Sequence, residues 1–535
     1  MPWSLAITVL IVLFLVALWL IRDIYQGIFK FASTPLNLPI IAFVTLVLFQ
    51  LLPLPPNILQ FISPSSIPIY KMICNEDIEE ISKILSSDNA HTKEQLAQSA
   101  AFLNTSSPLP IGKGEMRGQE SANNNGEFES SQNNSYKKWH PITLYNYASK
   151  VELFRLLTYI GVYFLIVNNI KSRQQIRQIV TTIIITGISI SFLGLLQYLS
   201  GTEKVFWLYD IKRANFFATF SNQDHFACYM AMIIPLVIGL LITEYLNRLT
   251  GNLQSTVHTH QSNVSSHRIF FYVFAIVIML SSLFFARSSG GAFSIIVSFL
   301  LLIGMMLSRK RLRKMSWIVV PIIFITLGVL IWIGMRPVIE ELATSVDIEN
   351  PSLKERIEFW QNTILAIKDF PLFGTGIGVF PFIYPQYSTV THLTFVNHAH
   401  NEYLELMLET GLIGFAIVLW ALYRFIKDNA LYHILGMTKG INHERPIKRL
   451  MQYLNFLGIK WLSNDKQFNY QTKINDSLKR RKEPFIIGIS IGGIIGIMSM
   501  CFHCIVDFNF HTPANAFLLF VLLGITTVVV HTKHL

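Results

Sequence analysis

Asn397-His398-Ala399-His400-Asn401-Glu402-Tyr403-Leu404-Glu405-Leu406-Met407-Leu408-Glu409-Thr410-Gly411-Leu412-Ile413-Gly414 is the stretch on which the reading of this chain turns. It opens as a polar loop with two histidines and becomes a helix that runs into an apolar segment ending near Phe425. Asn401 is a good N-cap, and Glu402 and Glu405 fall in the first turn, where acids suit the positive end of the helix dipole. Glu402, Glu405 and Glu409 are spaced three and four apart and so share one helix face. Gly411 and Gly414 project from another side, where a neighbouring helix can approach closely. Imidazoles therefore sit where a membrane helix meets water, with carboxylates below them. Ionisable groups in that position are costly and mark a site.

Composition gives this helix its setting. The chain has 535 residues, 52% hydrophobic and 14% charged, against ~25% charged in soluble domains. Apolar runs near the ~20 residues needed to cross a bilayer fall near 3–21, 37–55, 150–168, 178–199, 224–246, 269–286, 291–308, 316–335, 402–425, 485–506 and 514–531. The expected fold is an all-α polytopic integral membrane protein of about eleven (ten to twelve) spans, with a large extracytoplasmic loop before the ninth. Residues 4–20 are apolar with no basic stretch before them, which reads as a retained first span.

The division expected is N-terminal membrane helices (1–61), a polar and disordered insert (62–148), a central bundle (149–335), a loop with an amphipathic helix (336–401), a membrane helix (402–425), a basic linker (426–484) and C-terminal membrane helices (485–535). Asp77 to Ser86 reads as a short helix within the insert. In the loop, Leu353, Ile357, Trp360, Ile364 and Ile367 recur at helical spacing, which predicts a helix over 352–369 ended by Phe370-Pro371. Gly374-Thr375-Gly376-Ile377-Gly378 follows with no strand before it, so it reads as a re-entrant or surface loop rather than a phosphate cradle.

The net charge of +11 sits in the loops. Lys171, Arg173 and Arg177, then Arg309 to Lys314, then a linker that includes Lys479-Arg480-Arg481-Lys482, all fall on one side, which makes that side cytoplasmic. No basic-aromatic module is present, so a nucleic-acid partner is excluded; the partner expected from composition is the lipid bilayer. The four cysteines, Cys74, Cys228, Cys501 and Cys504, form no disulfide framework. Cys501 and Cys504 lie in an apolar run without a second ligand pair and read as small residues of a membrane helix.

On the side opposite the basic loops, polar groups collect at the ends of different spans. Arg213 precedes Ala218-Thr219-Phe220-Ser221-Asn222-Gln223-Asp224-His225-Phe226; Arg287 sits in a short turn; Arg356 and Trp360 lie on the loop helix; His398 and His400 open the ninth span; His503 and Asp507, four apart, share a face at the end of the tenth. Each also has a structural reading: headgroup contact for Arg287, an interfacial hydrogen bond for His225, a bonded pair for His503 and Asp507, an interhelical bond for Glu409. Their convergence favours chemistry. Arginine makes bidentate bonds to phosphate oxygens, and histidine removes a proton from a hydroxyl near neutral pH. Together they suggest transfer of a group carried on a lipid phosphate to an alcohol.

In this order the residues resemble the O-antigen ligase and polymerase superfamily. His400-Asn401 followed by Gly411-Leu412-Ile413-Gly414 is similar to its signature, Ala218 to Asn222 with His225-Phe226-Ala227 to its Gly-Thr-Phe-Gly-Asn segment, and Ala286-Arg287-Ser288-Ser289-Gly290 to its Ser-Arg-Gly turn. Arg356 to Gly376, and His503 with Val506-Asp507-Phe508 and Pro513, resemble its loop helix and late element. The likeness covers roughly 145–425 and 485–531. It implies a bacterial inner-membrane glycosyltransferase with its active site facing the periplasm. Such an enzyme moves a glycan from undecaprenyl diphosphate to an acceptor with a free hydroxyl, by inverting transfer without metal or cofactor. By the resemblance His400 is the base and Arg287 and Arg213 hold the donor diphosphate, with His398, Asn401, Glu405, Arg356, Asn222, His225, His503 and Asp507 in support. The family's Asn-Pro-Asn is Asn222-Gln223-Asp224 here, which sets an extra acid by the donor, and its Gly before Thr is Ala218. Two further classes fit parts of the pattern. A transporter or flippase of a lipid-linked or anionic solute would use Glu405 and Glu409, but no paired inverted repeat is seen. A metal enzyme would use His398, His400 and Asp507, though His-x-His on a loop is poor tetrahedral spacing. Ligation, polymerisation and transfer to protein are not separable at this level.

Overall fold

Inside a bilayer an apolar chain can satisfy its backbone only within itself, so runs of this length fold as helices. The computed structural model describes residues 2–27, 31–73, 139–202, 204–210, 216–251, 259–307, 351–388, 396–431 and 484–531, with the single positions 313 and 321. In chain order the helices are α1 (Pro2–Tyr25), α2 (Asn37–Leu51), α3 (Pro56–Ile62), α4 (Ser66–Ile73), α5 (Asn146–Asn169), α6 (Arg173–Leu199), α7 (Gln223–Gly251), α8 (Thr259–Phe285), α9 (Ser289–Leu307), α10 (Pro351–Asp369), α11 (Phe380–Ile383), α12 (Glu402–Ile426), α13 (Pro484–His503) and α14 (Pro513–His531). Nine of those described are long and apolar enough to cross a membrane, and α2, at 15 residues, is a shorter apolar helix. The span expected near 316–335 lies outside the described residues apart from position 321. So do most of the 62–148 insert, including Asp77 to Ser86, most of the 426–484 linker and Arg213.

The centre of the bundle is α7, enclosed along most of its length, and its closest partner is α13. Small residues set that contact. A Cβ on Gly239 would stand 2.2 Å from the Gly488 carbonyl oxygen, and one on Gly492 or Gly496 would strike the α7 backbone at Pro235 or Met232. The Gly488–Gly492–Gly496 repeat thus lets two backbones touch, which is how helices gain packing where lipid offers no hydrophobic drive. The α13–α14 hairpin packs on α5 and α7.

The loop helix α10 spans Pro351–Asp369, within one residue of the expected start, and buries Phe359 and Ala366, with Phe370 just beyond its end, against Phe380, Tyr384 and Leu408. Two features differ from the expected pattern. A short antiparallel hairpin, β1 (Lys204–Val205) with β2 (Tyr209–Asp210), follows α6. And α12 is broken at Gly411 (φ 66°, ψ −176°) rather than running straight. What approaches Gly411 is the backbone of a loop, not a helix: a Cβ there would lie 2.1 Å from Leu372 O. The carbonyls freed by the break are taken up by that loop, Thr375 N–H donating to Leu408 O and Gly376 N–H to Glu409 O, each at 2.9 Å. Gly414 meets α2 at Leu46, a helix contact of the kind expected. Glu409 Oε1 accepts Phe380 N–H at 3.0 Å, so this acid fastens the Gly374–Gly378 loop to α12.

Candidate active site

The start of α12 is fixed by its cap. Asn401 (φ −157°, ψ 102°) accepts from Tyr403 N–H at 3.0 Å and Leu404 N–H at 3.1 Å through its side-chain oxygen. Immediately before it, His400 is left-handed, with φ 50°. A non-glycine residue in that region is strained, and such strain collects at functional sites. The turn sends His400 Nδ1 to Asp507 Oδ1 at 3.3 Å. Phe508 meets the ring edge-on at 4.8 Å, and Trp360 of α10 donates to Ala399 O at 3.1 Å, which anchors the segment from the other side.

Asp507 is not on the helix face expected for it. Helix α13 ends at His503, and Asp507 lies in the turn beyond. Its side chain is 2% exposed, and among the described residues neither carboxylate oxygen accepts a hydrogen bond of good geometry. It faces imidazoles instead: His400 at 3.3 Å and His225 Nε2 at 3.8 Å. Burial alone pushes this carboxyl up, but His400, then His225 and His503, outweigh it and hold Asp507 below the usual carboxylate range. His503 is buried with Nδ1 3.5 Å from Ser294 Oγ, and it has room only because residue 290 is glycine; a Cβ there would lie 2.8 Å from His503 Nε2.

The second part of the site holds the arginines. Asn222 caps α7 by accepting Asp224 N–H at 2.8 Å. The extra acid, Asp224, takes the Ser288 hydroxyl at 2.5 Å and lies 3.9 Å from Arg356 Nη2. It therefore ties α7, the 286–289 turn and α10 at one end of the bundle. Arg287 is left-handed (φ 53°), and its exposed guanidinium donates to Tyr198 OH at 3.1 Å. Arg287 does not touch His400; the two are joined through Ser288, Asp224 and the neighbouring His225. Ala218, where the resemblance expects glycine, is also left-handed (φ 53°), so the backbone keeps the conformation glycine favours.

On the far side of Phe508 lies a second cluster. His398 stacks on that ring at 4.3 Å and its Nδ1 is 2.8 Å from Glu405 Oε1, while Glu405 Oε2 accepts Ala399 N–H at 2.9 Å. His511 completes it, with Nδ1 3.2 Å from Glu402 and Nε2 3.5 Å from Glu405. His511 was not among the expected residues; the signal was the acidic face Glu402/Glu405, which once buried requires a cation. Burial works against its protonation, but Glu402 and Glu405 prevail and raise it well above the ordinary histidine value. His398, Glu405 and His511 are the described group whose ligand atoms, all within 4.8 Å, come nearest to a metal site. The 2.8 Å separation of His398 and Glu405 is a hydrogen-bond distance, shorter than the ~3.3 Å edge of a tetrahedron with metal–ligand bonds of ~2.0–2.1 Å.

These features define a polytopic helical membrane protein with a histidine–carboxylate pair and two arginines at one end of its bundle. Residues 274–419, which carry Arg287, Arg356, His398 and His400, match the family described as O-antigen ligase. The chain is also similar to an uncharacterized protein of Haemophilus influenzae, 34% identical over 110 residues; that match spans 18% of this chain and 27% of the relative.

Proposed function

We propose that this protein is a membrane glycosyltransferase that moves a glycan from undecaprenyl diphosphate to a hydroxyl acceptor, in O-antigen or related surface polysaccharide assembly. The observation that carries the reading is the His400–Asp507 pair, placed at the same bundle end as Arg287 and Arg356. With Nδ1 turned to the buried carboxylate, His400 keeps Nε2 for the acceptor. It takes the hydroxyl proton as the oxygen attacks the anomeric carbon. The bond from that carbon to the diphosphate breaks, and the lipid diphosphate leaves with the electron pair. Asp507 stabilises the imidazolium that forms, and Arg287 and Arg356 meet the charge on the leaving group. Arg213 is assigned to the same diphosphate by resemblance alone. The acceptor is lipid A core, a further repeat unit or another hydroxyl. The site opens to the periplasm of the inner membrane. His398, Glu405 and His511 hold the acceptor side of the site by hydrogen bonds and charge, without metal. The 336–401 segment acts as the catalytic loop, with 62–148 and 426–484 outside the chemistry.

The test is His400→Ala against His398→Ala at matched membrane levels in a deletion strain. His400→Ala is expected to abolish glycan transfer, with lipid-linked donor accumulating, since general-base catalysis is worth ~10²–10⁴-fold. His398→Ala is milder. Full transfer by His400→Ala, or loss of activity of the purified protein on chelation, removes the proposed mechanism. In the deletion strain, loss of all capped lipid A marks a ligase and single-repeat caps mark a polymerase.

A further inference from the structure

The β1–β2 hairpin belongs to no part of the chemistry above, yet it is built with care. Leu208 N–H closes a turn onto Val205 O at 3.2 Å, and the two residues between them, Phe206 and Trp207, are both left-handed (φ 55° and 59°). A turn with two such positions favours Asn-Gly, not two aromatics. The hairpin is nonetheless firmly fastened. Trp207 Nε1 donates to Ser200 Oγ at 2.9 Å, Val205 is buried beneath, and the buried Gln197 amide, with its oxygen turned to the hairpin, accepts Phe206 N–H at 2.8 Å while its nitrogen donates to Ala218 O at 3.2 Å. What this rigid turn presents outward is apolar: Leu208 is 75% exposed and Tyr209 66%, beside Phe206 and Trp207 at 45% each.

Its position assigns the occupant. The hairpin directly follows the end of membrane helix α6, and Tyr198, two residues before Ser200, receives the Arg287 guanidinium. A cation and an apolar aromatic surface are thus both fastened to the same end of α6, the complement of an amphiphile with an anionic head and a long hydrocarbon chain. Resting on the donor reading given above, we propose that the 204–210 hairpin is the subsite for the isoprenoid chain of the donor, seating its first units while Arg287 holds the diphosphate.

The experiment uses the full chain in phospholipid nanodiscs. Leu208→p-benzoylphenylalanine leaves the Trp207–Ser200 bond intact and places a photocrosslinker on the surface. Irradiation with tritiated undecaprenyl diphosphate is expected to give a saturable adduct, displaced by the unlabelled compound. Adducts with bulk phospholipid only, unaffected by undecaprenyl diphosphate, overturn the proposal and make the hairpin a bilayer anchor. In a transfer assay, the double variant Leu208→Ser/Tyr209→Ser, which keeps the Trp207–Ser200 bond, is expected to raise the donor KM about tenfold or more with kcat within about twofold, a loss in line with two large apolar side chains removed from a chain contact. An unchanged KM overturns it as well. Saturable crosslinking by the Leu208 variant, with no glycan transfer to any hydroxyl by the wild-type protein, keeps the subsite and removes the transferase reading. Transfer by the wild-type protein, with no saturable crosslink in the Leu208 variant and no KM change in the double variant, does the reverse.

Discussion

Asp507→Asn is the substitution that most directly probes the site. The carboxylate is 2% exposed and 3.3 Å from His400 Nδ1, and among the described residues no hydrogen bond of good geometry to it must be broken to make the change. In the proposed reaction His400 becomes a cation as it takes the acceptor proton, and at an effective dielectric of ~20 opposite unit charges at 3.3 Å attract by about 5 kcal/mol. His225 and His503 face the same carboxylate, and an asparagine amide retains part of the interaction as a dipole. About half of the attraction, ~2–3 kcal/mol, is therefore expected to be lost from the transition state, a fall in kcat of about 30- to 150-fold. The donor KM should change little, because Asp507 contacts neither Arg287 nor Arg356 among the described residues. The assay is transfer from purified lipid-linked donor to acceptor in nanodiscs, with thermal unfolding measured alongside to show that the fold survives. A kcat within about threefold of wild type in a folded protein refutes the pairing of Asp507 with the base.

Three other outcomes follow from the geometry. Arg287→Lys should lower transfer about 10- to 100-fold, since an ammonium does not reproduce a two-bond fork on a diphosphate and a charged hydrogen bond is worth ~1.5–3 kcal/mol; full activity with lysine refutes the fork. Ala218→Gly should leave stability within about 1 kcal/mol, because relief of the left-handed strain is offset by the lost methyl and the freer unfolded chain, whereas Ala218→Val should cost roughly 2 kcal/mol or more; equal melting temperatures for Gly and Val variants refute the backbone reading. The His511 proton carries a signed pH dependence: its folded pKa is raised by Glu402 and Glu405, so its stabilisation is full below the unfolded value of ~6.5 and is lost as pH rises through the higher folded value. His511→Gln should remove the alkaline part of the melting profile, and an unchanged profile above neutrality refutes the charged cluster.

Whatever depends on local chemistry was legible in the order of the residues. Runs of apolar residues imposed membrane helices, because a bilayer leaves no other partner for the backbone, and Asn401 set the start of α12 through its own side chain. The spacing in 352–369 gave α10, and the arginines and histidines stood out because charge is expensive at those positions. Tertiary structure decided everything that depends on residues distant in the chain. No periodicity pairs His400 with Asp507, and helical spacing in fact placed Asp507 on a face that α13 ends too early to provide. The break at Gly411 was invisible because a glycine in an apolar run reads equally as a close helix contact; only the loop that takes up the freed carbonyls makes the broken form stable. His511 was hidden because its protonation depends on two carboxylates from another helix. The hairpin was hidden because its turn contradicts local preference and is held by Gln197 and Ser200 instead. Local preference is a sum over neighbours in sequence, whereas buried charges and strained turns are settled by which partners the fold brings within about 3 Å.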